Sequence, residues 1–436
     1  MQFNTIFRTL CCRRRLAWRL KIGLSFLLAG FYPLSAITAP LTLQQAWEQA
    51  EQANPDLRAA RANLAAAQGE LTDARALLWN NPQLSTELRK RSLPQTTVPA
   101  QSNYEWTLGL AQTFEIAGQQ GLRRNAAEQA LAATQAVISE TQRQVRAEVE
   151  QQFVRVLGLQ QRIQMEERTL KLVEEAASAV SKRVTAGEDS HLDGNLARVE
   201  AGRAQNQVAL LREQLIQARA ALATLLQLPP DSLPEPGGSL DSPSAAYTLE
   251  ELLAGAENRP LLRAYDHQQK SALSRLALER AAIYPDITLG LNTAREGLGN
   301  PQDRISGLSV SLPLPLFRRN ATGIGRATTE LTRAQVQQQV VHRDTRAQVL
   351  ALWARRENLQ TRVKQLSESV LPRLEENQHL SSVSFRAGEI GLLQLLLVNR
   401  QVLDGQRDLL DARTELRLAK VALEAAAGWP TAHDIR

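Results

Sequence analysis

Few side chains in this sequence have the type and spacing that covalent chemistry needs. The five histidines, His191, His267, His342, His379 and His433, are scattered along the chain. None sits near another at the short spacings that let two imidazoles share a metal ion, and a metal site normally needs three converging ligands. His191-Leu192-Asp193 comes nearest and offers two ligands at most. Residues 323–328, GIGRAT, resemble a phosphate loop superficially. They follow a proline-rich segment and lack the lysine of that motif, so a helix start accounts for them. No Ser-His-Asp set and no carboxylate pair has supporting context. The expectation is a protein without catalytic residues, metal site or cofactor, and therefore not an enzyme.

A recurring turn is more informative. Ala186-Gly187-Glu188 returns as Ala387-Gly388-Glu389, 201 residues later. The echo spreads along the chain. Thr42-Leu43 and Asn54-Pro55 match Thr248-Leu249 and Arg259-Pro260 at an offset of about 205. Residues 222–230, LATLLQLPP, match 423–430, LEAAAGWP, at 201 again. The chain is thus a tandem repeat. The expected organisation is a leader at 1–39, a first repeat at 40–228, a Pro/Gly/Ser-rich linker at 229–246 and a second repeat at 247–430.

The leader has the order of a secretory signal peptide: a basic stretch, a short apolar run IGLSFLLAGFYPLSA, then small residues to about Ala39. The apolar run is short for a spanning helix of about 20 residues. Cleavage after Ala36 or Ala39 is expected. Arg8, Arg13, Arg14, Arg15, Arg19 and Lys21 lie within it and no acid does, so the formal charge of +6 falls to zero on its removal. The basic excess then belongs to the leader and gives no argument for nucleic acid. Cys11 and Cys12, the only cysteines, leave with it.

Each repeat reads as short helix, longer helix, strand, loop, strand, very long helix, tip, long helix. After the first tip, Ala197, Ala201, Ala204, Val208, Leu211, Leu215, Ala218, Leu222 and Leu225 alternate spacings of four and three. Adding 201 gives Val398, Val402, Gly405, Leu409, Ala412, Leu416, Ala419, Leu423 and Ala426. That is a heptad seam. The helix before the first tip runs without proline from near Gln119 to Arg183. At 1.5 Å rise per residue it is about 100 Å long. Its counterpart runs from near Ala321 to Arg386, with a kink expected at Pro372. Gly187 and Gly388 are read as the turns of two hairpin rods, since glycine accepts the positive φ that closes many helix C-termini.

The strand segments alternate with period two. Tyr104, Trp106, Leu108 and Leu110 face away from Glu105, Thr107, Gly109 and Ala111. Ile287, Leu289 and Leu291 do the same against Asp286, Thr288, Gly290 and Asn292. Two readings remain open: a soluble sheet with one buried face, or an outer-membrane barrel with its apolar face toward lipid. Four strands cannot enclose a lumen, and open edges are not tolerated in lipid, so the second reading requires several chains in one barrel.

The whole arrangement resembles the TolC-like outer-membrane efflux channels. Residues 112–124, QTFEIAGQQGLRR, resemble the strand-to-helix turn of the CzcC-like heavy-metal branch, and 311–320, SLPLPLFRRN, resemble its Pro-Leu-Pro-Leu-Phe segment. The resemblance implies a mainly helical fold with a small β part. Three chains would form a 12-stranded barrel and a 12-helix periplasmic tunnel. It implies as partners a periplasmic adaptor and an inner-membrane RND pump, with heavy-metal cations as cargo. The alternatives are a channel for drugs or other small organic molecules, or a periplasmic adaptor, which has a single hairpin. Gly187, Glu188, Gly388 and Glu389 become candidate adaptor-docking tips. Family members constrict the pore with acids six and nine residues after the second tip glycine. Those positions here are Gln394 and Leu397, and the first-half equivalent of the former is Asp193. These three are the gate candidates.

Overall fold

A computed structural model describes residues 40–93, 101–240, 247–298 and 301–429. The leader, His433 and part of the linker lie outside them. The described elements, all within one compact unit, are α1 (Leu43–Ala53), α2 (Pro55–Ala74), β1 (Gln83–Leu93), β2 (Gln101–Phe114), α3 (Gln119–Thr185), α4 (His191–Leu225), α5 (Leu249–Glu257), α6 (Pro260–Ala281), β3 (Ile287–Glu296), β4 (Asp303–Ser311), α7 (Ala321–Gln365), α8 (Leu371–Arg386) and α9 (Leu392–Ala427). The chain is mostly helical, with the expected element order in each half.

The repeat is visible in its local chemistry. α1 and α5 open with the same capping box: Thr42 accepts from the Gln45 amide and donates its own to that side chain, as Thr248 does with Glu251. α2 and α6 both start on proline. Asn54 caps α2, whereas Arg259 at the equivalent position gives α6 no side-chain cap. Its guanidinium instead reaches buried Glu140 on α3.

The longer helices form one layer, with α1 packed on α3 and α4, and α5 packed on α7 and α9. Near the strands its order is α2, α3, α6, α7; toward the tips it is α4, α3, α9, α8. α3 therefore runs the length of the layer with second-repeat helices on one flank. The heptad seams are turned inward: Val208, Leu211, Leu222, Val402, Leu409, Ala412 and Leu423 are all buried. One core gathers Ala46, Ala50, Val149, Phe153, Leu222 and Leu226; its counterpart gathers Leu252, Ala256, Val349, Leu423 and Ala427.

Two features add detail to the sequence reading. The linker is not merely a loop: Pro236 forms a parallel bridge with Leu41, and Leu240 is buried in the first core. The expected kink at Pro372 appears as a π-helical turn at Leu366–Val370, just before the proline. Proline cannot donate to the i−4 carbonyl and its ring crowds that carbonyl, so the turn widens. Leu371 and Leu374 then lean on α9 where Gly405 leaves room, since a Cβ there would come within 2.7 Å of Leu374 Cδ1.

Candidate functional site

The four strands make one antiparallel sheet in the order β1-β2-β3-β4, so β1 and β4 are open edges. Its register fixes two faces. Leu84, Leu110, Leu291 and Leu308 form one transverse row, and Leu88, Trp106, Arg295 and Arg304 another. Tyr104, Trp106, Leu108 and Leu110 are exposed on this face, while Glu105 on the other is buried. The opposite face has rows of small residues: Ser85, Gly109, Asn292 and Gly307, then Gln83, Ala111, Gly290 and Ser309. The large apolar groups and the small polar groups are thus sorted to opposite sides, as a barrel wall between lipid and lumen requires.

A second apolar belt lies at the helix end of the sheet, and the sequence reading did not single it out. Leu77, Trp79, Ile116, Tyr284, Leu314, Leu316 and Phe317 are exposed there, Phe317 at 95%. From Trp106 to Phe114 the strand advances about 26 Å at about 3.3 Å per residue. That separation fits aromatic girdles flanking an apolar band. The available signal was the aromatic just before Asn-Asn-Pro or Pro in WNNPQL and IYPDITL.

The corner between β2 and α3 is held by the QTFEIAGQQGLRR segment. Gln112 donates to the Asn80 carbonyl at 2.7 Å, and Gln120 donates to those of Ala74 and Ala76. Arg123 forks onto Glu115 at 2.6 and 3.0 Å and stacks 3.8 Å from the Trp79 ring centroid. Gly118 turns the chain at φ 74°. These contacts fix the angle at which the long helix leaves the sheet. In the second half Asn320, at φ 50°, marks the start of α7 and donates to the Glu279 carbonyl.

Charged groups clamp α3 to α9 in antiparallel register. Glu150 meets Arg417 at 2.6 Å, Arg162 meets Asp411 at 2.7 Å, and Glu166 accepts from Arg407 at 2.6 and 2.7 Å. Glu166 is 1% exposed. Burial pushes its carboxyl up, but the Arg407 fork and Arg162 outweigh that and hold it below its ordinary range. Burial dominates at Glu150 and Glu424, whose carboxyls are raised despite Arg417 nearby. Among the described residues no three His, Cys, Asp or Glu side chains converge on a metal-sized site.

The tips repeat closely. Gly187 has φ 80° and Gly388 has φ 75°. In each, the glutamate amide reaches back five residues, Glu188 to Arg183 O and Glu389 to Ser384 O, both at 2.9 Å. The glycine amides bond to Val184 O and Phe385 O, completing a Schellman motif in each rod. Glu188 and Glu389 are exposed. The two return helices start differently. Ser190 caps α4, accepting from the Asp193 amide at 3.2 Å and donating to the Asp193 carboxylate at 2.6 Å. Gly391 gives α9 no side-chain cap. Asp193 is half-buried and its carboxylate is held by the capping hydroxyl; Gln394 and Leu397 are exposed, Leu397 at 58%. Leu397 takes no part in the seam within the chain.

Among the described residues no helix is long and apolar enough to cross a membrane. The profile of the outer membrane efflux protein family matches residues 46–227 and 254–429. Cobalt-zinc-cadmium resistance protein CzcC of Cupriavidus metallidurans is 30% identical over 375 residues, covering 86% of this chain and 85% of that protein. Nickel-cobalt-cadmium resistance protein NccC of Alcaligenes xylosoxydans xylosoxydans is 26% identical over 335 residues, covering 75% and 72%. In fold, the outer membrane protein VceC of Vibrio cholerae superposes with a TM-score of 0.74 at 19% identity, covering 88% of this chain and 96% of that one. The chain belongs to the outer membrane efflux protein family, among its CzcC-like members.

Proposed function

We propose that three copies of this chain close one barrel and one helical tunnel, and that this trimer is the passive outer-membrane duct of a tripartite efflux system. The observation that carries the proposal is the matched pair of open edges in both layers. The sheet ends at β1 and β4, and the helical layer ends at α2 and α4 on one side and α7 and α8 on the other. Val199, Leu210 and Ile216 on α4 are exposed, as are Val336, Leu350, Leu380 and Val383 on α7 and α8. A closed ring of such units pairs every strand edge, as hydrocarbon demands, and covers these apolar edges in the same step. The duct performs no covalent step.

The tips carry the remaining roles. A periplasmic adaptor docks on the turns at Gly187–Glu188 and Gly388–Glu389, and an inner-membrane RND pump supplies the energy. Gln394 and Leu397, exposed at the uncapped start of α9, form the closed gate around the three-fold axis. A ring of leucines closes by dewetting, and glutamine bonds across it. Asp193 joins that ring beside its capping role. The cargo is a heavy-metal cation, by similarity to the cobalt-zinc-cadmium and nickel-cobalt-cadmium resistance proteins. A duct needs no ligand cluster, because it must release what it carries.

Two measurements test this. Chemical crosslinking of the detergent-purified protein is expected to yield three-chain species; a monomer at all concentrations refutes the duct. Deleting the gene is expected to sensitise cells to zinc, cobalt, cadmium or nickel. Sensitivity only to organic drugs or dyes overturns the cargo assignment.

A further inference from the structure

The outward face of the sheet holds only three charged residues among its described positions, and all three are cations. Lys90 pairs with Tyr104 in the β1–β2 register; Arg295 stands across from both Trp106 and Arg304. The acids of the sheet, Glu87, Glu105, Glu296 and Asp303, occupy the other face by the same alternation. There they are partly neutralised: Glu87 by Arg89 at 2.7 Å and Glu105 by Arg91 at 3.2 Å. Among the described residues no acid pairs with Lys90, Arg295 or Arg304, and the three are exposed.

Two arginines directly across an antiparallel pair repel each other. An acid from elsewhere in the chain does not offset this. The residues joining β1 to β2 outside the described set, 94–100, read PQTTVPA and carry no acid. A neighbouring copy pairing β4 with β1 adds no outward acid either, because both strands lack one on that face.

Their height is equally specific. All three lie near the hairpin-loop end of the strands, away from the helices. They share rows with Tyr104 and Trp106, the aromatic pair expected at headgroup level. Leu110, Leu291 and Leu308 continue the face below as lipid-facing apolar surface. The guanidinium groups therefore sit where the apolar band ends and headgroups begin. A guanidinium matches phosphate oxygens two at a time.

We propose that Arg295 and Arg304, assisted by Lys90, form a binding site for the phosphate groups of an outer-leaflet glycolipid such as lipid A. The bound phosphate offsets the repulsion between the paired arginines and anchors each protomer at a fixed depth. The inference rests on the barrel reading for which side meets lipid.

The test uses the full-length protein in a neutral detergent, with heat unfolding followed by tryptophan fluorescence. It is titrated with bisphosphorylated lipid A, dephosphorylated lipid A, phosphatidylglycerol or inorganic phosphate. Bisphosphorylated lipid A is expected to raise the midpoint. R295Q/R304Q should need about tenfold more of it for the same shift, the loss of about 1.4 kcal/mol of binding. R295K/R304K, which keeps the charge but loses the fork, should fall between. The site is overturned if the wild type ignores bisphosphorylated lipid A, or if R295Q/R304Q responds as the wild type does. Dephosphorylated lipid A working equally well refutes phosphate recognition. Equal shifts with phosphatidylglycerol refute the glycolipid assignment, and with inorganic phosphate the lipid assignment. Crosslinking on the same sample separates these outcomes from failure of the trimer itself.

Discussion

Replacing Arg407 by glutamine should destabilise the protein more than replacing its partner Glu166. Arg407 gives Glu166 two charge-assisted hydrogen bonds, at 2.6 and 2.7 Å, and the carboxylate is 1% exposed. Removing one partner of a buried ion pair costs about 3–5 kcal/mol, because a charge remains without compensation. Here Arg162 still donates to Glu166 at 3.1 Å, so we expect about 2–3 kcal/mol. The entropy of unfolding is about 2.1 cal/mol/K per residue, so for a chain this long the midpoint should fall by about 3 °C. Circular dichroism at 222 nm on the purified protein reads it. E166Q removes the buried charge itself and should cost less, and E166Q/R407Q should recover most of the loss. Because the folded carboxyl is depressed, its contribution is present above the unfolded value of about 4.3 and is lost as pH falls through the lower folded value. The gap between R407Q and wild type should therefore narrow below about pH 4. A variant within about 0.5 kcal/mol of wild type at pH 7, or a gap unchanged between pH 7 and 3, refutes the argument from an uncompensated buried charge.

Glu424 gives the opposite sign: burial raises its folded carboxyl, so its stabilising part is present below the unfolded value and is lost as pH rises through the folded one. E424Q, which can still accept from the Tyr247 hydroxyl, should flatten that decline in a heat-unfolding series from pH 4 to 8. Gln227 sits at φ 53° where the second repeat has Gly428 at φ 70°, so Q227G should stabilise the protein by about 1 kcal/mol, read as a higher unfolding midpoint. Gly388→Val forces a β-branched residue into positive φ at an exposed tip; it should impair metal export while crosslinking still reports three chains. Loss of the three-chain species in G388V would show that the turn matters for folding alone.

The elements governed by short-range pattern were legible in the sequence. The four-three spacing from Ala197 to Leu225 placed the α4 seam, and its copy 201 residues on placed that of α9. Strand alternation sorted Tyr104 and Trp106 from Glu105. Gly187 and Gly388 announced their turns because few other residues take that φ. What escaped depends on packing between distant segments. Glu166 and Arg407 lie 241 residues apart and meet only because α3 and α9 run antiparallel across the two repeats. Asn320 and Gln227 adopt positive φ without being glycine, so composition gave no warning. At Pro372 the sequence located a defect but not its form, a π-helical turn after which Leu371 and Leu374 lie in the space beside Gly405. The proposed gate residues, Gln394 and Leu397, stay least legible, since a ring about an axis would be a property of several chains.

The π-turn at Leu366–Val370 makes the two rods of one chain mechanically unequal. The first, α3, is a continuous 67-residue beam; the second is jointed between α7 and α8. Under a lateral load at the tips, bending concentrates at the joint, where the regular ladder of backbone bonds is already interrupted. In the proposed three-chain ring, stiff and compliant rods would alternate. An outward push on all six tips would then leave three struts nearly in place and swing the other three, dilating the bore as a triangle rather than a circle.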